Sequence, residues 1–358
     1  MTSSPVSAPA NSAPLLVIYT GGTLGMLPSD QGLAPSPDFE PRLRQALSDT
    51  QATQPDLHLP EFEYLALGQA IDSANLMPFH WQQMATYIIE HYQDYSGFVV
   101  LHGTDTMAYT ASALAFMLRG LTKPIVLTGS QLPLIADESD ATANVINALT
   151  AAQLLSLSPQ QGEVYIAFDQ VLLRGCCASK VSSSKLAGFD SPSYPALGFF
   201  DTLGSLTLNH EHSTTTPHQS LALSAPEFID DAVAVLHLAP GAGAVSLAAL
   251  SQQPELKAII ILSYGAGNMC SDSRAFCRAL QQCQEAGIFV LNLSQCHDGE
   301  VNQSTYASGH KLNDFGVVSG GNMTVEAAYS KLHLLIAQGY RGEDLAAPIA
   351  ENWVNELH

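Results

Sequence analysis

The sequence predicts an α/β protein of two doubly wound domains, a larger N-terminal one and a smaller C-terminal one, each around a parallel sheet. Three observations predict it. Short continuous apolar runs alternate with helix-forming stretches, the pattern of strands buried on both faces. Several of those runs end in glycine-containing turns. The alternation is interrupted once, near Ser205, by a polar stretch without periodicity.

The first run is Leu15-Leu16-Val17-Ile18-Tyr19, closed by Thr20-Gly21-Gly22-Thr23. A Pro/Gly-rich segment, Pro28 to Pro37, precedes a strand over Phe62 to Leu67, and a helix is expected from about Pro78 to Tyr92. The run Phe98-Val99-Val100-Leu101 follows, closed by His102-Gly103-Thr104-Asp105-Thr106, and then a helix over roughly 106–119. Pro124 to Thr128 reads as a strand ended by Gly129, about Ala141 to Leu155 as a helix, and Val164 to Phe168 as a strand. These elements make an N-terminal catalytic domain, 15–204, expected as a flavodoxin-like parallel sheet. The stretch 205–228 reads as a linker, and its His210, His212 and His218 as solvated rather than metal-binding, because no carboxylate or cysteine cluster completes a site. The C-terminal domain, 229–358, then has strands at Ala232 to Leu238, Ala258 to Leu262 and Ile288 to Leu293, and a closing helix over about 324–337.

Composition narrows the function. With 13 Lys+Arg against 33 Asp+Glu the net charge is −20, which repels phosphate backbones and anionic membranes, so neither nucleic acid nor membrane is expected as a partner. Hydrophobic residues make up 46 % of the 358, enough for a full core. Residues 1–14, rich in Ser, Pro and Ala, have neither a basic start nor an apolar core, and are expected to be a disordered tail rather than a signal peptide. The cysteines, Cys176, Cys177, Cys270, Cys277, Cys283 and Cys296, fit no zinc or C-x-x-C pattern, which points to a reducing compartment.

Ligands of open α/β sheets bind at the carboxyl ends of strands, where both threonine turns fall. In the first turn, glycine-freed N–H groups can hold an oxyanion while Thr23 presents a hydroxyl; the alternative is an ordinary turn with Thr23 as a helix cap. It is neither a P-loop nor a dinucleotide fingerprint. In the second turn Asp105 can grip a ligand ammonium and Thr104 can relay a proton, again against a capping role. A threonine nucleophile needs a base, for which His, Lys or a tyrosinate qualifies. Lysine is scarce, and Lys180 lies among small residues after Arg174-Gly175-Cys176-Cys177, so a Thr104–Asp105–Lys180 relay is one expectation and an exposed surface lysine the other. Asp72-Ser73 either binds a ligand carboxylate or caps a helix.

Thr20-Gly21-Gly22-Thr23-Leu24-Gly25-Met26 and Leu101-His102-Gly103-Thr104-Asp105-Thr106-Met107-Ala108-Tyr109-Thr110 resemble the two signatures of bacterial-type L-asparaginases, most like the type I cytoplasmic branch. Thr128-Gly129-Ser130-Gln131, Gly188-Phe189-Asp190, Ser263-Tyr264-Gly265 and Met323-Thr324-Val325-Glu326-Ala327 also resemble family segments, so the likeness covers nearly all of the chain after the tail.

The resemblance implies cytoplasmic hydrolysis of L-asparagine to aspartate and ammonia, without a cofactor or metal. Thr23 would be the nucleophile that forms an acyl ester, with Thr104, Asp105 and Lys180 in support. Gly22, Asp72, Ser73 and Gly103 would bind substrate, and Asn268 would reach a neighbouring subunit's site in a homodimer or homotetramer. Ser179, Leu262 and Cys296 mark a possible effector site, although relatives with such a site often carry arginine where this chain has Leu262. Two further departures are Leu33, where relatives place a loop tyrosine, and Glu138-Ser139-Asp140-Ala141, where they are more basic and contain glycine. The alternatives are a glutaminase-type amidohydrolase on the same scaffold and an amino-acid-binding regulatory protein with weakened catalysis.

Overall fold

The computed structural model describes residues 13–36, 38–157, 162–209, 222–303 and 311–358. Nearly all of the expected tail, and His210, His212 and His218, lie outside the described residues.

Five parallel strands form the body of the large sheet. In space they run Phe62–Ile71, Leu15–Gly21, Gly97–Leu101, Ile125–Thr128 and Val164–Phe168. Numbered along the chain this is the order 2-1-3-4-5, that of flavodoxin-like sheets. Four of the five are buried along their whole length, which is why they read as unbroken apolar runs. Phe62–Ile71 is the outer strand and is only partly buried. Helices Pro78–Glu90, Met107–Met117 and Ala141–Ser156 stand close to the predicted bounds.

Three features were not expected. The sheet continues beyond Val164–Phe168 through three antiparallel strands, Val171–Arg174, Gly198–Phe200 and Leu206–Leu208. The last of these falls inside the stretch read as linker; a three-residue strand offers no period to detect, and Thr207 masks it. A helix, Phe39–Thr53, also stands where none was expected; it buries only Phe39, Leu43 and Leu47, and its other face is polar. The Pro/Gly-rich segment is a hairpin, Met26–Ser29 paired with Gly32–Pro35.

The small sheet is wholly parallel, in the order Val233–His237, Ala258–Ser263, Phe289–Ser294, Val317–Ser319. Helix Val325–Ala337 leaves this sheet and packs against Met107–Met117 of the large unit, so one apolar core runs through both. Among the described residues no helix is long and apolar enough to cross a membrane.

That inter-unit helix carries a buried histidine. His333 is 1 % exposed, both ring nitrogens lack a partner, and Trp81, Phe228 and Tyr329 surround it. Burial pushes its pKa down to about 4. The folded chain therefore favours the neutral ring, and the unfolded chain takes up the proton near pH 6.5. Stability from this site is complete above about pH 6.5 and is lost as the pH falls towards 4, by about 2 kcal/mol between pH 8 and pH 5. His333→Phe is expected to remove that slope. Chemical unfolding of both proteins at pH 8 and pH 5 checks it, and an unchanged pH dependence in the variant would contradict it.

Candidate active site

In a 2-1-3-4-5 sheet the crevice opens between the first and third strands, where the crossovers leave in opposite directions. Here those strands are Leu15–Gly21 and Gly97–Leu101, so both threonine turns end at the crevice.

Backbone contacts press the two turns together. A Cβ at Gly22 (φ 92°) would lie 2.5 Å from the Gly103 backbone, and a Cβ at Gly103 would lie 2.4 Å from the Ser73 hydroxyl. Only hydrogen fits at these places, so Gly22, Gly103 and Ser73 meet at one point. Side chains from the flanks fasten the assembly. The Thr20 hydroxyl donates to the Leu101 carbonyl (3.0 Å), and that of Thr106 to the Ser73 carbonyl (2.9 Å). The Gly22 N–H donates to the Ile71 carbonyl at 3.1 Å, and the Leu134 N–H to the Leu24 carbonyl at 3.0 Å.

A buried relay underpins the second turn. The Trp81 indole N–H donates to the Thr110 hydroxyl (3.2 Å), which in turn donates to His102 Nε2 (2.9 Å). The tautomer is set at the other nitrogen: a carbonyl can only accept, so Nδ1 carries the proton and donates to the Gly103 carbonyl at 2.7 Å, leaving Nε2 of the neutral ring to accept. Burial lowers the His102 pKa to about 4, so the ring stays neutral and the relay keeps its direction.

Lys180 reaches this turn from a two-residue strand, Ser179–Lys180, paired antiparallel with Phe189–Asp190. Its ammonium donates to Thr104 Oγ1 at 2.7 Å and to Asp105 Oδ1 at 2.6 Å. Thr104 is buried, the Lys180 side chain is 19 % exposed and that of Asp105 59 % exposed. Of the two expectations for Lys180, the relay contacts are the ones observed. Thr23 opens a three-residue 3-10 turn, Thr23–Gly25, half-buried, with Gly22 rather than threonine at the cap position. Asp72 does cap a turn: its side chain accepts from the Ala74 N–H at 3.1 Å.

Asn268 follows the strand Ala258–Ser263 of the C-terminal sheet and closes a turn with Tyr264 through backbone bonds of 3.0 and 2.8 Å. The hairpin after Thr23 carries Leu33, half exposed, and no tyrosine. Asp140, in the departing 138–141 segment, accepts from the Gln131 and Leu132 N–H groups at 2.9 and 3.0 Å and so holds the neighbouring loop. Sequence reading missed the fastening roles of Thr20, Thr106 and Thr110; their only signal was the density of threonine around the two turns.

Ser179, Leu262 and Cys296 line one cavity of about 450 Å³ between the two units. There the Ser179 hydroxyl donates to Glu326 Oε2 at 2.9 Å, and burial raises the Glu326 pKa. Among the described residues, no lysine or arginine lines this cavity. Among the described residues, no group of three or more His, Cys, Asp or Glu is arranged to hold a metal ion.

Residues 14–213 match the family model for the asparaginase N-terminal region, and 232–347 that for the glutaminase/asparaginase C-terminal domain. L-asparaginase 1 of Escherichia coli (strain K12) is 38 % identical over 349 residues, which cover 96 % of this chain and 97 % of that protein. The crystal structure of L-asparaginase I from Vibrio cholerae superposes with a TM-score of 0.82 at 33 % identity, covering 97 % of this chain and 100 % of that one. The thermostable L-asparaginase from Thermococcus kodakarensis superposes with a TM-score of 0.81 at 28 % identity, covering 96 % of this chain and 99 % of that one.

Proposed function

The chain belongs to the asparaginase family, and from that premise we propose that it is an L-asparagine amidohydrolase with Thr23 as its nucleophile. The observation that carries the reading is Lys180 bridging Thr104 and Asp105 directly beside the Gly22–Gly103 contact. A nucleophilic turn, a relay and a carboxylate thus share the switch point, where an α/β sheet binds its ligand.

In this mechanism Asp105 holds the substrate ammonium, and the region of Asp72 and Ser73 holds the α-carboxylate. Thr23 Oγ attacks the side-chain carboxamide carbon, with turn N–H groups on the developing oxyanion. Collapse breaks the C–N bond and releases ammonia, leaving an ester on Thr23, which water cleaves to aspartate. No cofactor is needed. Leu33 cannot move a proton, so proton removal falls to Lys180, in its neutral form, acting through Thr104.

Asn268, in the C-terminal domain, is assigned to a neighbouring subunit's site in a homodimer or homotetramer. The free thiols suit a reducing, cytoplasmic setting. Among the described residues the inter-unit cavity offers a ligand carboxylate Glu326, His237 and His297 but no guanidinium, so asparagine is not assigned there as an effector.

Ammonia release with L-asparagine and with L-glutamine, each over a concentration series, tests the proposal. Asparagine is expected to have at least about tenfold the higher kcat/KM, the discrimination that one methylene supports. Glutamine preference would favour the glutaminase-type reading, and calorimetric binding of asparagine without ammonia release the regulatory one.

A further inference from the structure

The vicinal thiols Cys176 and Cys177 are buried in the core and take no part in the proposed mechanism. They occupy the 3-10 turn Gly175–Cys177, which leads through buried Ala178 directly into Ser179–Lys180. Their sulfurs are 4.0 Å apart. The segment 353–358 covers both: the Cys176 thiol donates to the Val354 carbonyl at 3.4 Å, and that of Cys177 to the Asn355 carbonyl at 3.2 Å. Cys177 Sγ also lies 3.5 Å from His358 Nε2. The Tyr194 ring stacks on His358 at 4.2 Å and lies under the Arg174 guanidinium at 4.4 Å.

We propose that Cys176 and Cys177 form a thiol oxidation site, in which a hydroperoxide converts the pair to a vicinal disulfide and shifts Lys180, three residues on.

The Cys177 thiolate attacks the outer oxygen of the hydroperoxide; the O–O bond breaks, an alcohol or water leaves with a proton, and Cys177 becomes a sulfenic acid. The Cys176 sulfur then attacks that sulfur, an S–S bond forms, and water leaves. The surroundings divide these roles. The Cys176 thiol, whose single proton can turn from the Val354 carbonyl to the Cys177 sulfur, lowers the Cys177 thiol together with His358 and the Arg174 guanidinium, against its burial, whereas burial raises that of Cys176. Once Cys177 has lost its proton it no longer donates to the Asn355 carbonyl, and the covering segment loses that hold. Its outer residue, His358, is already exposed.

Closure has a mechanical consequence. The sulfurs must approach from 4.0 Å to about 2.05 Å. Adjacent Cα atoms are only about 3.8 Å apart, shorter than the roughly 4.4–6.8 Å of ordinary disulfides. The turn must therefore change shape, and the strained bond is readily reduced. A displacement of Lys180 by about 1 Å costs up to about 10²-fold in rate.

The full chain treated with hydrogen peroxide, then peptide-mapped by mass spectrometry, tests this without reference to activity. The peptide with Cys176 and Cys177 is expected to lose two hydrogens and to regain them with dithiothreitol. Cys176→Ser, which cannot resolve the sulfenic acid, is expected to give a dimedone adduct at Cys177. Ammonia release should fall and recover in parallel in the wild type, and Cys177→Ser should resist. If the folded protein instead oxidises only at exposed Cys296, or Cys176→Ser yields no adduct, the proposal is wrong. Equal inactivation of Cys177→Ser would refute the link to Lys180.

Discussion

Thr23→Ala is expected to lower kcat for asparagine by at least about 10³-fold, the scale seen when a covalent nucleophile is removed and only binding and oxyanion stabilisation remain. The fold should not register the change. Thr23 is half-buried, its hydroxyl makes no hydrogen bond among the described residues, and Gly22 holds the turn's cap position. Stability should therefore shift by no more than about 0.5 kcal/mol. Thr23→Ser, which retains an oxygen, should preserve part of the rate. Steady-state ammonia release with thermal unfolding on the same samples checks both statements. Full activity in the alanine variant would remove Thr23 from the mechanism.

How the site comes into being shows what a sequence discloses. The runs at Leu15, Phe98, Pro124 and Val164 are legible because strands buried on both faces need apolar side chains at every position. Once those strands are placed, the Thr23 and Thr104 turns follow at the sheet's carboxyl edge. What stays hidden depends on distant pairing. That Lys180 meets Thr104 rests on a two-residue ladder with Phe189 and Asp190, and two residues carry no period. The edge strands Gly198–Phe200 and Leu206–Leu208 are hidden for the same reason. Helix Phe39–Thr53 had a readable signal: Phe39, Leu43 and Leu47 recur every fourth residue, with the N-terminal end falling just after Asp38. Its polar remainder and the preceding prolines concealed it. Gly22 and Gly103 form an intermediate case. Their presence was plain, but the reason for it, the Gly103 backbone 2.5 Å and the Ser73 hydroxyl 2.4 Å from where a side chain would begin at Gly22 and Gly103, exists only once segments far apart in the chain are side by side.

The sharpest division of labour lies between Lys180 and Asp105, because one ammonium joins a relay hydroxyl to a ligand-binding carboxylate. Lys180→Met keeps the length of the side chain but leaves buried Thr104 Oγ1 without its donor and Asp105 without its counter-charge. A general-base step supplies about 10²–10⁴-fold, so kcat should fall by about that factor while KM changes little. Asp105→Ala should act differently: if the carboxylate holds the substrate ammonium, KM rises as well. Lys180→Arg separates a proton carrier from a mere anchor. A guanidinium keeps the counter-charge beside Asp105 but does not give up a proton, so kcat should fall about as far as in Lys180→Met. An arginine variant with near-wild-type kcat would show that another group takes the Thr23 proton, and Lys180 would then be left with holding Thr104 and Asp105 in place.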